Sequence, residues 1–72
     1  SDYKEQKKVR NRLAWIDKRF KTIENEIEKE RALTNNPDYN DNYEILESAL
    51  NNMNILEKEY LELMEEQERL LK

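Results

Sequence analysis

The chain has 72 residues, 42% of them charged, a formal net charge of −4, one proline and no glycine, histidine or cysteine. That composition lacks the turn-formers of a sheet and carries the Glu, Lys, Arg and Leu bias of long helices. It also excludes disulfides, thiolate nucleophiles, thiolate metal sites and a proton shuttle working near neutral pH.

The first element opens at Asp2-Tyr3-Lys4-Glu5, which places an Asp at an N-cap and a Glu three residues on, close to a capping box. From there Gln6, Val9, Leu13, Ile16, Phe20, Ile23 and Ile27 are spaced alternately three and four apart. This is the a/d seam of a coiled coil. Glu30 lies on the same grid. The spacing predicts helix 1 over about residues 3–33. The segment Thr34-Asn35-Asn36-Pro37-Asp38-Tyr39-Asn40 collects turn-formers, and Pro37 cannot continue a helix without breaking its hydrogen bonds. A turn is therefore predicted over about 34–41. A second box, Asp41-Asn42-Tyr43-Glu44, starts helix 2 over about 42–71 with Asp41 as its cap. Its seam is Leu46, Ala49, Met53, Leu56, Tyr60, Leu63, Gln67 and Leu70, flanked by Leu50, Met64 and Leu71.

Folding the chain about Pro37 sets the two grids face to face. Ile27 meets Ala49, Ile23 meets Met53, Phe20 meets Leu56, Ile16 meets Tyr60, Leu13 meets Leu63, Val9 meets Gln67 and Glu30 meets Leu46. The fold class expected is all-α, a two-helix antiparallel coiled-coil hairpin forming a single domain with arms of about 45 Å. The competing arrangement is a parallel dimer in which helix 1 pairs with its own copy. Two helices have no third layer to cover the seam, so apolar burial is limited and stability marginal. The isolated domain is expected to be monomeric. Ser1 in place of Met, opening directly into a helix, leads us to expect a segment of a longer polypeptide or a processed product. No apolar run is long enough for a bilayer, and the basic N-terminus is not followed by a signal-peptide core. With cysteine absent, a cytoplasmic location is expected and no membrane partner.

Charge is unevenly distributed. Residues 1–23 hold eight basic against three acidic side chains, a net of +5, which leaves −9 for the remainder. On the helical wheel Lys4, Lys7, Lys8, Asn11, Trp15, Lys18, Lys21, Thr22 and Asn25 recur on the side opposite the seam. Lysines flanking an outward Trp suit nucleic acid, because ammonium groups neutralise phosphates and an indole stacks on an unpaired base. The candidate nucleic-acid-binding residues are Lys4, Lys7, Lys8, Arg12, Trp15, Lys18, Arg19 and Lys21. An equally open reading is that the basic residues pair with the acidic second helix while Trp15 lies on neighbouring methylene stems. Membrane-surface binding is disfavoured, since that face offers one large apolar side chain.

Catalytic readings lack parts. There is no Gly-rich phosphate loop, and Ser1 and Ser48 stand in no nucleophile context. Glu24 with Glu28, and Glu62 with Glu66, are one-turn neighbours on solvated faces. Asp38, Asn40 and Asn42 imitate a calcium loop, but Tyr43 stands where that loop needs Gly and Ala49 where it needs a bidentate Glu. No catalytic residue, metal ligand or cofactor-binding residue is expected in the chain.

The opening Asp2-Tyr3-Lys4-Glu5-Gln6, the turn Asn36-Pro37-Asp38-Tyr39 and the closing Tyr60-Leu61-Glu62-Leu63-Met64-Glu65 resemble the C-terminal coiled-coil domain of ABC-F ATPases, particularly the Uup type. That domain typically begins Leu-Ser-Tyr-Lys-Glu-Gln, turns through Asp-Pro and Tyr, and ends with an aromatic residue before a Glu-rich stretch. Here Asp2 replaces the Ser, Asn36 the Asp before Pro, and Tyr60 stands where a Trp often follows. The resemblance covers essentially the whole chain. It implies the tail of a cytoplasmic protein with two ATP-binding cassettes, acting on ribosomes and translation, whose terminal domain binds nucleic acid (ribosomal RNA, tRNA or DNA). ATP and Mg would belong to the cassettes, whose motifs lie outside this chain. The alternative is a structural or protein-interaction arm with no nucleic-acid contact.

Overall fold

A computed structural model describes residues 2–72. Ser1, read in the sequence as leading directly into helix 1, lies outside the described residues. Helix α1 runs Asp2–Thr34, a single 3-10 turn covers Pro37–Tyr39, and α2 runs Tyr43–Leu71. The all-α two-helix hairpin is the observed fold, with the long axis of the molecule 58 Å. The helices are antiparallel, since Arg12 reaches Glu66, Arg19 reaches Glu59 and Glu30 reaches Asn52.

Helix α1 is continuous because it contains neither Gly nor Pro and is rich in Lys, Arg and Glu, whose unbranched stems lose little freedom in a helix. It ends where side chains and backbone take up the orphan carbonyls. The Thr34 hydroxyl donates to the Arg31 carbonyl at 2.7 Å, and the Asn35 amide donates to the same oxygen at 3.1 Å. Pro37 then opens the 3-10 turn, and the Asn36 side chain accepts from the Asp38 amide at 2.9 Å.

Three details of the sequence reading are corrected. Asp2 lies inside the first turn of α1, where its charge complements the helix dipole, and is not the residue before it. Asn42 caps α2, not Asp41. Its side-chain oxygen accepts from the Ile45 amide at 3.2 Å, because the 3-10 turn carries the chain one residue further before helical geometry begins.

The third correction concerns register. Phe20 stacks on Tyr60 with ring centroids 4.5 Å apart, where the facing grids had put Ile16. At the open end Val9 shares a groove with Leu70 instead of Gln67. Both shifts amount to one step of the a/d grid. The physical reason lies at the turn. Leu33, outside the expected grid, is half-buried in a groove with Tyr39, Ile45 and Ala49. That extra apolar layer displaces every later one. Glu30 is thereby released from Leu46 and accepts from the Asn52 amide nitrogen at 3.2 Å.

Ile16, Ile23 and Leu63 form the buried cluster, with Phe20, Ile27, Leu56, Tyr60 and Leu70 packed on it and Ala49 buried toward the turn. No buried side-chain nitrogen or oxygen among the described residues lacks a hydrogen-bond partner. The seam is thus apolar and thin, and every charged group stays at its margins. No helix of the described residues is long and apolar enough to cross a membrane.

Candidate nucleic-acid interface

Helical periodicity carries the basic residues of α1 to different places around one cylinder. Lys4, Lys7, Lys8, Lys18 and Lys21 are exposed, and none takes part in an ion pair among the described residues. Asn11, Thr22 and Asn25 are exposed with them, although the Thr22 hydroxyl is spent on the Lys18 carbonyl at 3.2 Å. The lysines therefore form a stripe of solvated positive charge on the face turned away from the seam.

Arg12 and Arg19 occupy a different position. The Arg12 guanidinium is bidentate to Glu66, with Nε and Nη2 at 2.6 and 2.9 Å from the two carboxylate oxygens. Arg19 grips Glu59 in the same way at 2.6 and 2.8 Å. These fork-to-fork pairs lie along one edge of the seam, which we term the charged edge. Hydrogen bonding to its carboxylate partner raises each arginine's pKa above the ordinary value, and the same bonds hold the Glu59 and Glu66 carboxyls below the usual carboxylate range. Both arginines were grouped with the lysines in the sequence reading. The structure separates them, because i and i+7 positions flanking the seam face the partner helix while the lysine positions do not.

Trp15 is 46% exposed and lies outside the core, as its wheel position required. It is not unattended. The Arg12 guanidinium carbon sits 4.4 Å from the ring centroid, a cation–π contact that covers one face of the indole. Arg12 thus joins Trp15 to Glu66, and only the remainder of the indole is available to a ligand.

The opposite edge of the seam has another character. A groove there is lined by Ile27, Tyr60 and Leu61 and rimmed by Glu24, Glu28, Glu57 and Arg31, the last paired with Glu28. Its cross-helix bonds are single and longer. The Tyr60 hydroxyl donates to Glu24 at 3.2 Å and the Gln67 amide nitrogen to Asp17 at 3.4 Å. Donation to Glu24 also raises the Tyr60 pKa above its ordinary value. Leu50, Met64 and Leu71 were recognised in the sequence as flanking residues, but Leu61 was missed. It shares their stripe through the spacing 50, 57, 61, 64, 71, a signal that was present in the chain.

Among the described residues no group of three or more acidic, His or Cys side chains is placed to hold a metal ion. Asp38, Asp41 and Asn42 border an open hollow at the turn, and the Asn42 oxygen there is engaged in capping. No protein-family model, curated protein or solved structure matches this chain.

Proposed function

We propose that this chain is a non-catalytic nucleic-acid-binding arm, and that it belongs to a cytoplasmic ABC-F type ATP-binding protein acting on ribosomes. The observation that carries the binding role is the stripe of five exposed lysines, Lys4, Lys7, Lys8, Lys18 and Lys21, free of ion pairs among the described residues. From Lys4 to Lys21 the stripe extends about 25 Å along one rigid helix. Such an array meets phosphates without reading sequence, and its ligand would be ribosomal RNA, tRNA or DNA. ATP and Mg would act in the parent protein's cassettes, and this arm would supply reach and grip.

The test is a salt titration of binding to duplex DNA, single strands and structured RNA. Replacing Lys7, Lys8, Lys18 and Lys21 with Gln is expected to weaken binding to all of them and to flatten the salt slope by about 1 for each lysine that met a phosphate. Helix content should not change. Absence of salt-sensitive binding at low ionic strength, or an unchanged slope in the variant, would defeat the proposal.

A second reading has its own support. Arg12 and Arg19 are already neutralised by Glu66 and Glu59, and Trp15 is covered on one side by Arg12. Both observations favour an arm that is structural or contacts protein. Loss of binding in the lysine variant is the result that separates the two.

A further inference from the structure

We infer that Trp15 is a stacking platform for one unpaired nucleobase, backed by Arg12 and bracketed by lysines, so that the arm prefers single-stranded or looped nucleic acid to an uninterrupted duplex. The inference rests on the nucleic-acid reading above and specifies the ligand of the same face. The indole is 46% exposed, although Ile16 beside it is fully buried. The Arg12 guanidinium carbon lies 4.4 Å from its ring centroid, and Glu66 holds that guanidinium by two bonds of 2.6 and 2.9 Å. The cation cannot swing away without breaking a bidentate pair, and it reaches the indole from the seam side. What it leaves uncovered is the face turned toward the lysines. Among the described residues no other ring or cation lies on that indole. A ring fixed in this way loses little freedom when a base stacks on it, which is what pre-organisation supplies.

The surroundings suit a nucleotide on each side of that base. Lys18 lies one turn after Trp15 and Lys8 two turns before it, about 15 Å apart along the helix axis. Both are exposed and take part in no ion pair among the described residues. Phosphates flanking a stacked base thus each meet an ammonium group. Asn11, one turn before Trp15 and exposed, offers an amide donor and acceptor to the edge of the base. The carboxylates of this region are turned elsewhere or engaged. Asp17 bonds to Gln67 across the apolar edge, Glu5 borders the groove of Val9 and Leu70, and Glu26 borders that of Ile55 and Leu56. Glu59 and Glu66 are held by the arginines. Glu62 is exposed between those two on α2, and its charge turns a strand's backbone back toward the lysines. In a duplex each base is already stacked between its neighbours, so only the lysines engage it.

The chain has one tryptophan, so its intrinsic fluorescence reports this ring directly. The experiment titrates the chain, at one low ionic strength, with a single DNA strand, an RNA hairpin with an open loop and a blunt DNA duplex, reading tryptophan emission and affinity together. Strand or loop should quench the emission and the duplex should not, and the probe that quenches names the source of the base. Trp15→Ala should lower the ratio of strand to duplex affinity about tenfold, and Trp15→Phe should restore most of it. Glu66→Gln, which releases Arg12, should lower the ratio about threefold and raise the mobility of the indole in fluorescence anisotropy. A ratio is the right measure there, because the charge removed from the chain acts on both probes. Replacing Lys7, Lys8, Lys18 and Lys21 with Gln should weaken all three complexes yet keep the quench at saturation. Salt-sensitive binding with no quench by strand or loop, an equal quench by the duplex, or a ratio unmoved in Trp15→Ala or in Glu66→Gln would overturn the inference while the lysine stripe stood. No binding of any probe would defeat both.

Discussion

The two edges of one seam are closed in opposite ways. On the charged edge, Arg12 and Arg19 each lay a guanidinium fork across to Glu66 and Glu59, with Glu30 and Asn52 continuing the line toward the turn. On the apolar edge, Ile27 and Tyr60 are only half-buried and Leu61 is exposed, beneath a rim of Glu24, Glu28, Glu57 and Arg31. A pair of helices cannot enclose its own core, so each edge must be covered by something. Long cationic stems do it on one side by lying over the seam while their heads find partners. The other side has only the single bonds of Tyr60 to Glu24 and Gln67 to Asp17 across it. The difference also divides the basic residues of α1 by role, since Arg12 and Arg19 on the charged edge are consumed internally and the lysines opposite the seam are not.

The largest effect expected is at the layer both edges share. Ile16 is fully buried in the cluster with Ile23 and Leu63, and Ile16→Ala should cost about 2–4 kcal/mol by removing methylenes and leaving a cavity. In a hairpin of marginal stability that is enough to unfold much of the population. Trp15 is its neighbour in sequence but touches Arg12 at the surface, so Trp15→Ala should cost about 1 kcal/mol or less. Urea denaturation of the two variants checks the contrast. Equal losses would mean that Trp15 belongs to the core and that the charged edge is not merely a cover.

The next effect is at the start of α2. Asn42→Ala removes the side-chain oxygen that accepts from the Ile45 amide and should cost about 1 kcal/mol. Asp41→Ala, one residue earlier, should change stability by less than about 0.5 kcal/mol. Thermal melts of the two variants decide which residue holds the helix start. They matter to the edges because Leu33, Tyr39, Ile45 and Ala49 meet at this end and set the register for both.

How the residues announce these features differs by feature. The a/d grids, the Pro37 turn and the outward Trp15 follow from three-and-four spacing and backbone chemistry, and the structure has all three. Register was less legible, because sliding one grid step still places apolar on apolar. What breaks the degeneracy is local. Leu33 adds a layer at the turn, and the slid register aligns Arg12 with Glu66 and Arg19 with Glu59. The lysine stripe was visible as exposed positions. Pairing of basic residues with the acidic second helix was one open reading, but that Arg12 and Arg19 are the ones committed, to Glu66 and Glu59, was not legible, since flanking residues disclose their partners only once the register is known.

The smallest effects separate the edges by pH. Bonding to Arg12 and Arg19 holds the Glu66 and Glu59 carboxyls below the ordinary value of 4.5 in the folded chain. A depressed folded pKa means the unfolded chain takes up protons first. Their contribution is therefore complete above that ordinary value and is lost as pH falls through the lower folded values. The apolar edge has the opposite sign. Donation to Glu24 raises the Tyr60 pKa above 10.0, so its contribution is complete below that value and disappears as pH rises through the folded one. Denaturation midpoints measured across pH should thus fall more steeply on the acid side for the wild type than for an Arg12→Gln, Arg19→Gln variant. On the alkaline side the wild type should fall more steeply than Tyr60→Phe. Each change is expected to be modest, because exposed pairs are screened by water and salt. If the arginine variant alters the alkaline limb instead of the acid one, the two edges are not independent, and the seam between them transmits what either loses.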